Sequence, residues 1–188
     1  MADTPDNKQA PAEEQQICVT CGFCCDGTLF LLAHLDPGER GSGLPVKIEE
    51  SSLTENGRDY FHLPCKYFSG KCTIYNRKKA NVCSSYRCQL LGEYAAGRIS
   101  SDGAREVVRE AMVIRDGILG DYRNPSANGG DMCFRQLLID LSKNASKSSN
   151  EYSDNDGRDF LLARCNIFEA LLTRHFRSRE DFDKLIMK

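Results

Sequence analysis

The sequence predicts an α+β protein in which an irregular cysteine-rich module with a short β-hairpin packs on a small helical bundle. Two observations support this fold class. Eight of the ten cysteines lie between residues 18 and 88, in a stretch with few regular elements. After Cys88 the apolar residues recur at helical spacing instead. A chain of 188 residues is long enough to bury a core of its own.

The N-terminal segment and the overall charge limit the classes of function. Residues 1–16 are polar and acidic without an apolar core, so we expect a disordered tail and no secretory signal. The longest apolar run, LFLLAHL, is far shorter than the ~20 residues that cross a membrane. The formal net charge of −2 gives no bulk attraction to nucleic acid or acidic lipid. We therefore expect a cytoplasmic protein without a membrane partner.

Residues 17–92 are the predicted cysteine-cluster module. Turn signals occur at DPGERGSG and ENG, and strand-like pieces occur around TLFLL and LPVKI. In YFHLPCKYFSGKCTIY, two apolar or aromatic runs flank SGK. This pattern predicts a β-hairpin with Cys65 on one arm and Cys72 on the other.

Residues 93–188 are the predicted helical region, and a first helix leads into it. In YRCQLLGEYAAG the apolar residues have helical spacing, and Gly97 is the expected stop. Further helices are expected from about Ser101 or Asp102, from about Met132 and from about Arg158. Their apolar faces are Val107, Val108, Ala111 and Met112; Phe134, Leu137, Leu138 and Leu141; and Leu161, Cys165, Phe168 and Leu172.

Two further segments complete this region. The polar, low-complexity stretch at about 142–157 predicts a flexible loop. Near the end of the chain, Phe182, Leu185 and Ile186 are expected to cover one more apolar patch.

The cysteines of the module fall into two groups with the spacing of metal ligands. These groups are Cys18, Cys21, Cys24 and Cys25, and then Cys65, Cys72, Cys83 and Cys88. A C-x2-C turn aims two sulfurs at one ion, and the first group contains that spacing twice. In the cytosol thiols stay reduced, so metal ligands are favoured over the alternative of a disulfide framework. Bound metal would also stabilise a module with little apolar periodicity, because binding free energy at such a site is folding free energy.

The adjacent pair Cys24 and Cys25 indicates more than one metal centre. Successive side chains diverge in helices and strands alike, so these two thiols do not easily chelate one ion. They are better suited to two metals, or to a cluster in which one thiolate bridges. Eight thiolates make two four-cysteine sites, whether two zinc ions, a cluster plus zinc, or two iron–sulfur clusters. Which cysteines share a site stays open at this point.

The second cysteine group lies in a basic stretch. No Asp or Glu occurs from residue 61 to residue 92, whereas the basic residues there are Lys66, Lys71, Arg77, Lys78, Lys79 and Arg87. We interpret these cations as charge compensation for thiolate sites. The alternatives are a solvated basic face, or a patch for a protein partner or an anionic ligand such as RNA. Nucleic acid is disfavoured because no nucleic-acid-binding module is recognisable.

The cysteine pattern resembles that of the CxxCxxCC (YkgJ-type) family, which is described as a zinc- or iron-chelating domain. That pattern is CxxCGxCC, a proline–cysteine pair, a cysteine before Ile-Tyr, and a final pair in an RPxxCRxYPC segment. The matching residues are Cys18, Cys21, Gly22, Cys24, Cys25, Pro64, Cys65, Cys72, Ile74, Tyr75, Arg77, Cys83, Tyr86 and Cys88. Departures stand at Lys78, Ser84 and Arg87. The resemblance covers residues 18 to about 90 and implies zinc or an iron–sulfur cluster as the cofactor.

Three functions follow from these observations. The first is a metal-binding protein in which the eight cysteines have a structural, metal-handling or electron-transfer role. The second is an iron–sulfur-dependent enzyme, because a similar cysteine cluster occurs in flagellin lysine methylase, although no separate methyl-donor motif is present here. The third is a zinc-stabilised RNA-binding protein.

The remaining cysteines and the histidines are expected to be structural. Cys133 and Cys165 lie on predicted helix faces, where free cysteine packs as a small apolar residue. His62 is expected to be a polar strand residue, with a ligand role as the sharper alternative. His34 is expected to be structural or exposed, and His175 to complement a helix C-terminus.

Overall fold

The computed structural model describes residues 12–122, 132–145 and 155–177. Helices and a small antiparallel sheet make up this part of the chain, which confirms the α+β class. The elements are α1 (Ala12–Cys21), β1 (Leu32–His34), α2 (Val46–Glu50), β2 (Ser52–Glu55), β3 (Arg58–His62), α3 (Val82–Ser85), α4 (Gln89–Ala95), α5 (Ser101–Asp121), α6 (Phe134–Ala145) and α7 (Asn155–His175). None of the helices in the described segments is long and apolar enough to cross a membrane.

The sheet has three strands in the order β1–β3–β2, with both pairs antiparallel. Strands β2 and β3 form a hairpin around Asn56 and Gly57, whose φ angles of 51° and 73° are both positive. A two-residue turn with two positive φ angles suits the twist of a hairpin, and Asn-Gly is its preferred sequence. The turn signal at ENG is therefore confirmed.

The hairpin predicted for Cys65 and Cys72 is present only around SGK. One antiparallel bridge joins Phe68 to Cys72 there, and the Thr73 N–H donates to the Tyr67 carbonyl at 2.9 Å, but Cys65 lies outside this bridge. The chain turns at once, because the Phe68 N–H donates to the Cys65 carbonyl at 2.8 Å. The strand-like piece LPVKI is also different, since Val46–Glu50 form helix α2 and bury Ile48.

The helical region folds largely as predicted. Gly97, at φ 69°, ends α4, and the Arg98 N–H reaches back to the Glu93 carbonyl at 2.9 Å. Helix α5 begins after Ser100, whose side chain accepts a hydrogen bond from the Gly103 N–H. The buried residues on the predicted faces include Val108, Ala111, Phe134, Leu137, Leu141, Leu161, Cys165, Phe168 and Leu172.

Several boundaries differ from the prediction. Helix α1 begins at Ala12, so the expected tail at 1–16 is too long, while residues 1–11 lie outside the described residues. Helix α1 forms there because Glu14 is buried against Arg87 and Ile17 enters the core. Helices α6 and α7 take up both ends of the expected loop at 142–157. The middle of that loop and the patch at Phe182, Leu185 and Ile186 lie outside the described residues.

Two clusters of apolar side chains form the core of the described chain. The larger one joins α1 and the segment after it to helices α4 to α7. The smaller one lies under the sheet and contains Leu35, Leu44, Ile48, Phe61, Leu63, Ile74 and Ala80. The eight cysteines of the module lie between these two clusters, as the geometry of the site shows.

Candidate metal centre

The motif CVTCGFCC spans the end of α1 and the turn that follows. Gly22 has φ 64°, and its N–H donates to the Cys18 carbonyl at 3.1 Å, which ends the helix. A Cβ atom at Gly22 would lie 2.4 Å from two ring atoms of Phe68. Glycine is therefore required here for its backbone conformation and for the close approach of an aromatic ring.

The residues after Gly22 point in different directions. Phe23 is fully buried in the larger core, where its ring centroid lies 5.1 Å from that of Phe176 and 6.5 Å from that of Phe168. The Cys25 N–H donates to the Gly22 carbonyl at 2.7 Å, so the chain turns tightly at this point. This turn separates Cys24 from Cys25, which face different sets of cysteines.

Electrostatic interactions among the thiols define two groups. Cys24 interacts most strongly with Cys88 and then with Cys21 and Cys18. Cys25 interacts most strongly with Cys83 and then with Cys65 and Cys72. We call the first set the helix-side group and the second the sheet-side group. The helix-side group is Cys18, Cys21, Cys24 and Cys88, and the sheet-side group is Cys25, Cys65, Cys72 and Cys83.

Each group mixes cysteines from both parts of the sequence, and Cys18 lies between the groups. Cys18 interacts with Cys72 of the sheet-side group, while Cys21, Cys24 and Cys88 all interact with Cys18. The chain is tied together here by its backbone, since the Cys65 N–H donates to the Cys25 carbonyl at 2.7 Å. Helix α3 presents Cys83, and Cys88 stands at the start of α4.

Two cavities adjoin these thiols and differ greatly in size. One has a volume of about 40 Å³ and is lined by the whole helix-side group together with Cys25. The other has a volume of about 290 Å³ and is lined by the whole sheet-side group together with Cys18 and Cys24. All eight cysteines therefore border one connected region between the two apolar clusters.

Burial governs the acidity of these thiols. It raises the pKa of Cys21 and Cys24 well above the usual value and raises the pKa of Cys83 to about 12. Burial also raises the pKa of Cys88 to about 11, against the opposing effect of the Leu91 and Leu90 N–H groups. Cys18 and Cys83 are exposed as residues, yet their sulfurs are sufficiently screened from water for the pKa to rise. The thiols whose pKa burial raises therefore hold their protons near neutral pH in the metal-free protein.

One cation stands among the thiols. The charge of Lys79 lowers the pKa of Cys18 and of Cys83, against the larger effect of burial. Its ammonium lies 4.0 Å from the centroid of the Tyr75 ring and donates to the Tyr75 carbonyl at 2.7 Å. Lys79 is thus held at the wall of the larger cavity, as expected for a charge that offsets thiolates.

Two other cations of the basic stretch are tied to the protein instead. The Lys78 ammonium donates to the Ser42 carbonyl at 2.7 Å. The Arg87 guanidinium pairs with the buried Glu14 carboxylate at 2.9 Å and 3.2 Å. This pair joins α1 to the residue before Cys88, so Arg87 has a structural role.

Three arginines hold the loop that follows Cys25, and no sequence motif predicts them. Arg115 pairs with Asp26, Arg135 donates to the Thr28 carbonyl at 3.0 Å, and Arg177 donates to the Leu29 carbonyl at 3.0 Å. Arg135 and Arg177 also share the Glu169 carboxylate, at 2.6 Å and 3.5 Å. We call these three arginines, together with Glu169, the arginine clasp. The clasp connects the cysteine motif to helices α5, α6 and α7.

The remaining candidates occupy structural positions. All ten cysteines are free, and Cys133 and Cys165 are buried in the core. His62 is exposed on β3, and His34 is exposed and stacks edge-on against Tyr60. In the described parts of the chain, no three His, Cys, Asp or Glu side chains are already arranged to hold a metal ion. Comparison with known proteins found no match to this chain among protein-family models, curated proteins or solved structures.

Proposed function

We propose that this is a cytoplasmic metal-binding protein in which the helix-side and sheet-side groups each hold one metal centre, with zinc or an iron–sulfur cluster as the cofactor. We also propose that residues 18 to about 90 form a module of the CxxCxxCC (YkgJ-type) family. The cytoplasmic location rests on the reduced thiols that such centres require.

The single observation that carries this proposal is the separation of Cys24 from Cys25. The strongest neighbours of the two adjacent thiols are different cysteines, Cys88 for Cys24 and Cys83 for Cys25, although both thiols also interact with Cys18. Four thiolates complete the coordination of one tetrahedral ion or one cubane cluster. All ten cysteines are free, so the thiols of both groups are available as ligands.

The donor set also fits a metal. Buried thiols with a raised pKa are poor anions on their own, and a bound cation makes the thiolate form favourable. Lys79 offsets part of the remaining negative charge. When bound, zinc would supply folding free energy, and an iron–sulfur cluster would supply electron transfer.

The RNA-binding alternative has less support. Lys78, Lys79 and Arg87 have partners within the protein, so the basic stretch does not present all its cations to a nucleic acid. No observation favours the methylase-like enzyme, which stays a prediction from the resemblance. An anionic or protein partner at the exposed Lys66, Lys71 and Arg77 also stays a prediction.

Metal and acid-labile sulfide content, measured on protein purified without oxygen, tests the proposal. We expect metal in both centres of the wild-type chain. Cys24→Ser and Cys25→Ser each remove one thiolate, and each should lose the metal of one centre. Cys165→Ala is the matched control, because that cysteine packs in the core and should leave the metal content unchanged. A wild-type chain without metal, or equal loss in the control, would contradict the proposal.

A further inference from the structure

The two cysteine groups enclose spaces of very different size, although each has four thiols. The helix-side cavity measures about 40 Å³ and the sheet-side cavity about 290 Å³. A cavity needs ~10–15 Å³ of such volume to hold one water molecule. The smaller space therefore holds an ion and little else, and the larger has room for many atoms more than an ion needs.

The walls of the smaller cavity leave no room for a polynuclear cluster. Besides the cysteines, it is lined by buried side chains of the larger core, including Phe23, Leu90 and Phe176. Gly22 also lines it, at the point where Phe68 packs against the backbone. A cluster in this space would displace core side chains that are close-packed.

The larger cavity has more space than a single ion needs, and it opens towards solvent, because Cys18 and Cys83 in its wall are exposed. A group larger than one ion can therefore enter this cavity between the thiols. Its walls are mainly apolar and come from β1, β3 and the chain before Cys83, including Phe30, Phe61 and Val82. Six cysteines line it, and four of these form the sheet-side group.

Besides the cysteines, the polar side chains that line this larger cavity are His34, Tyr75, Lys79 and Tyr86. The Lys79 ammonium lies over the Tyr75 ring at this wall. A cation here complements a centre with excess negative charge, which a four-thiolate centre has whether it holds one zinc ion or a cluster. Lys79 therefore supports a metal centre in this cavity and provides a probe of it.

We infer that the two centres are unequal: the helix-side group holds one zinc ion, and the sheet-side group holds a polynuclear iron–sulfur cluster. This inference rests on the proposed function and assigns a metal to each of its centres. Cys18, Cys24 and Cys25 line both cavities, so these three thiols stand at the junction of the two centres.

The test reconstitutes the full chain with ferrous iron, sulfide and zinc in the absence of oxygen, and then measures iron, sulfide and zinc per chain. We expect both iron with matching sulfide and about one zinc in the wild-type protein. Cys65→Ser should lose iron and sulfide together and keep its zinc. Cys21→Ser should lose the zinc and keep iron and sulfide, and Cys165→Ala should keep all three.

A second variant tests the inference without removing any ligand. Lys79→Met removes the cation beside the sheet-side group, so the reduction potential of the iron centre should become more negative. Lys66→Met is the matched control, because Lys66 is exposed and does not line the cavity. An iron centre whose potential responds equally to both variants would overturn the assignment to the sheet-side group.

The outcomes separate this inference from the proposed function. Two zinc ions per chain without sulfide would overturn the inference and leave the proposed function standing. Loss of iron from Cys21→Ser and of zinc from Cys65→Ser would reverse the assignment and overturn it as well. A chain that takes up neither metal would overturn both.

Discussion

Different interactions stabilise two parts of this protein. We call helices α1 and α4 to α7 the helical half, and residues 30–88 with the eight thiols the cysteine half. The larger apolar cluster, which is mainly helical, contains 17 buried residues, whereas the cluster under the sheet contains 7. The larger cluster includes three edge-to-face aromatic pairs that involve Phe23, Phe134, Phe168 and Phe176. The cysteine half has short strands, long turns and eight thiols in place of such a core. Apolar burial accounts for the stability of the helical half, and the proposed metal centres would supply the stability of the cysteine half.

The motif CVTCGFCC joins the two halves, because its side chains serve both. Phe23 inserts into the helical core, while Gly22 lies against Phe68 of the cysteine half. Cys24 then joins the helix-side group and Cys25 the sheet-side group. The arginine clasp holds the loop that follows. The two halves are thus distinct in their stabilisation but continuous in their chain.

Metal removal should have the largest effect, because it should unfold the cysteine half and leave the helical half folded. Structural zinc supplies about 10–16 kcal/mol of apparent binding free energy in small zinc-dependent peptides, so the cysteine half should not stay folded without it. We expect a chelator to expose residues 30–88 to protease while the helical circular dichroism signal is largely kept. Limited proteolysis with mass spectrometry of the fragments measures this.

The control for metal removal is the same chelator saturated with zinc beforehand. If the cleavage pattern were unchanged, or if both halves became susceptible at the same rate, the two halves would not differ in their dependence on metal.

Removal of a core aromatic side chain should have the next largest effect. Phe168 is fully buried between Phe23 and Phe134, and Phe168→Ala should lower the free energy of unfolding by about 3–5 kcal/mol. Denaturant unfolding of the metal-loaded protein, followed by helical circular dichroism, measures this. The neighbouring Ile167 is 66% exposed, so Ile167→Ala is the control and should cost little. Similar losses in both variants would argue against a core on this face of α7.

A methyl group added at Gly22, where the two halves meet, should lower the free energy of unfolding by somewhat less. Gly22→Ala adds left-handed backbone strain and a clash with the Phe68 ring, together about 2–4 kcal/mol. Gly70→Ala is a close control, because Gly70 has φ 66° but nothing within 4 Å of an added Cβ. The difference between the two variants in thermal unfolding isolates the contact with Phe68. Equal destabilisation would mean that the ring moves away without cost.

Loss of the charge at the centre of the arginine clasp should have a smaller effect. Glu169→Gln keeps the shape of the side chain but weakens its bonds to Arg135 and to the buried Arg177, at about 1–3 kcal/mol. The two halves should then unfold in separate transitions. Helical circular dichroism follows one transition and metal release follows the other. The exposed Glu110→Gln is the control. Coincident transitions in Glu169→Gln would show that the clasp does not couple the halves.

The sequence predicted the helical half well, because periodicity and capping are local signals. Ser100, Gly97 and the apolar face of α7 each act within a few residues of their own position. Even there the start of α1 was misjudged, since Glu14 looks like a solvated charge until Arg87 stands beside it. A long-range ion pair of this kind leaves no local pattern.

The metal chemistry of the cysteine half stays a prediction, and its geometry could be predicted only in part. The adjacent thiols predict two centres, yet only the turn after Gly22 gives Cys24 and Cys25 different strongest neighbours. The hairpin expected to carry Cys65 and Cys72 is reduced to one bridge, because alternating apolar residues also suit a tight turn whose thiols face a cavity. Tertiary contacts decide the conformation of such segments. The arginine clasp also depends on tertiary contacts, so the spacing of its residues in the sequence does not predict it.

The last prediction concerns a buried thiol in the helical half, which has no effect at neutral pH and acts only at alkaline pH. Cys165 is 1% exposed on α7, and burial, with a further contribution from Glu169, raises its pKa to about 11 from an ordinary value of 9.0. Below pH 9 the thiol is protonated in both the folded and the unfolded chain, so it does not affect stability. Above pH 9 it ionises first in the unfolded chain, and stability falls until the pH reaches the folded pKa. One group contributes at most about 1.4 kcal/mol per pH unit to this slope.

We therefore expect the free energy of unfolding of metal-loaded wild-type protein to fall more steeply between pH 9 and pH 11 than that of Cys165→Ala. Denaturant unfolding at half-unit steps of pH measures both slopes. The metal-bound cysteines contribute equally to the two proteins, so the difference belongs to Cys165 alone. Parallel profiles would mean that water reaches this thiol in the folded chain, and the helical core would then be less dry than its packing implies.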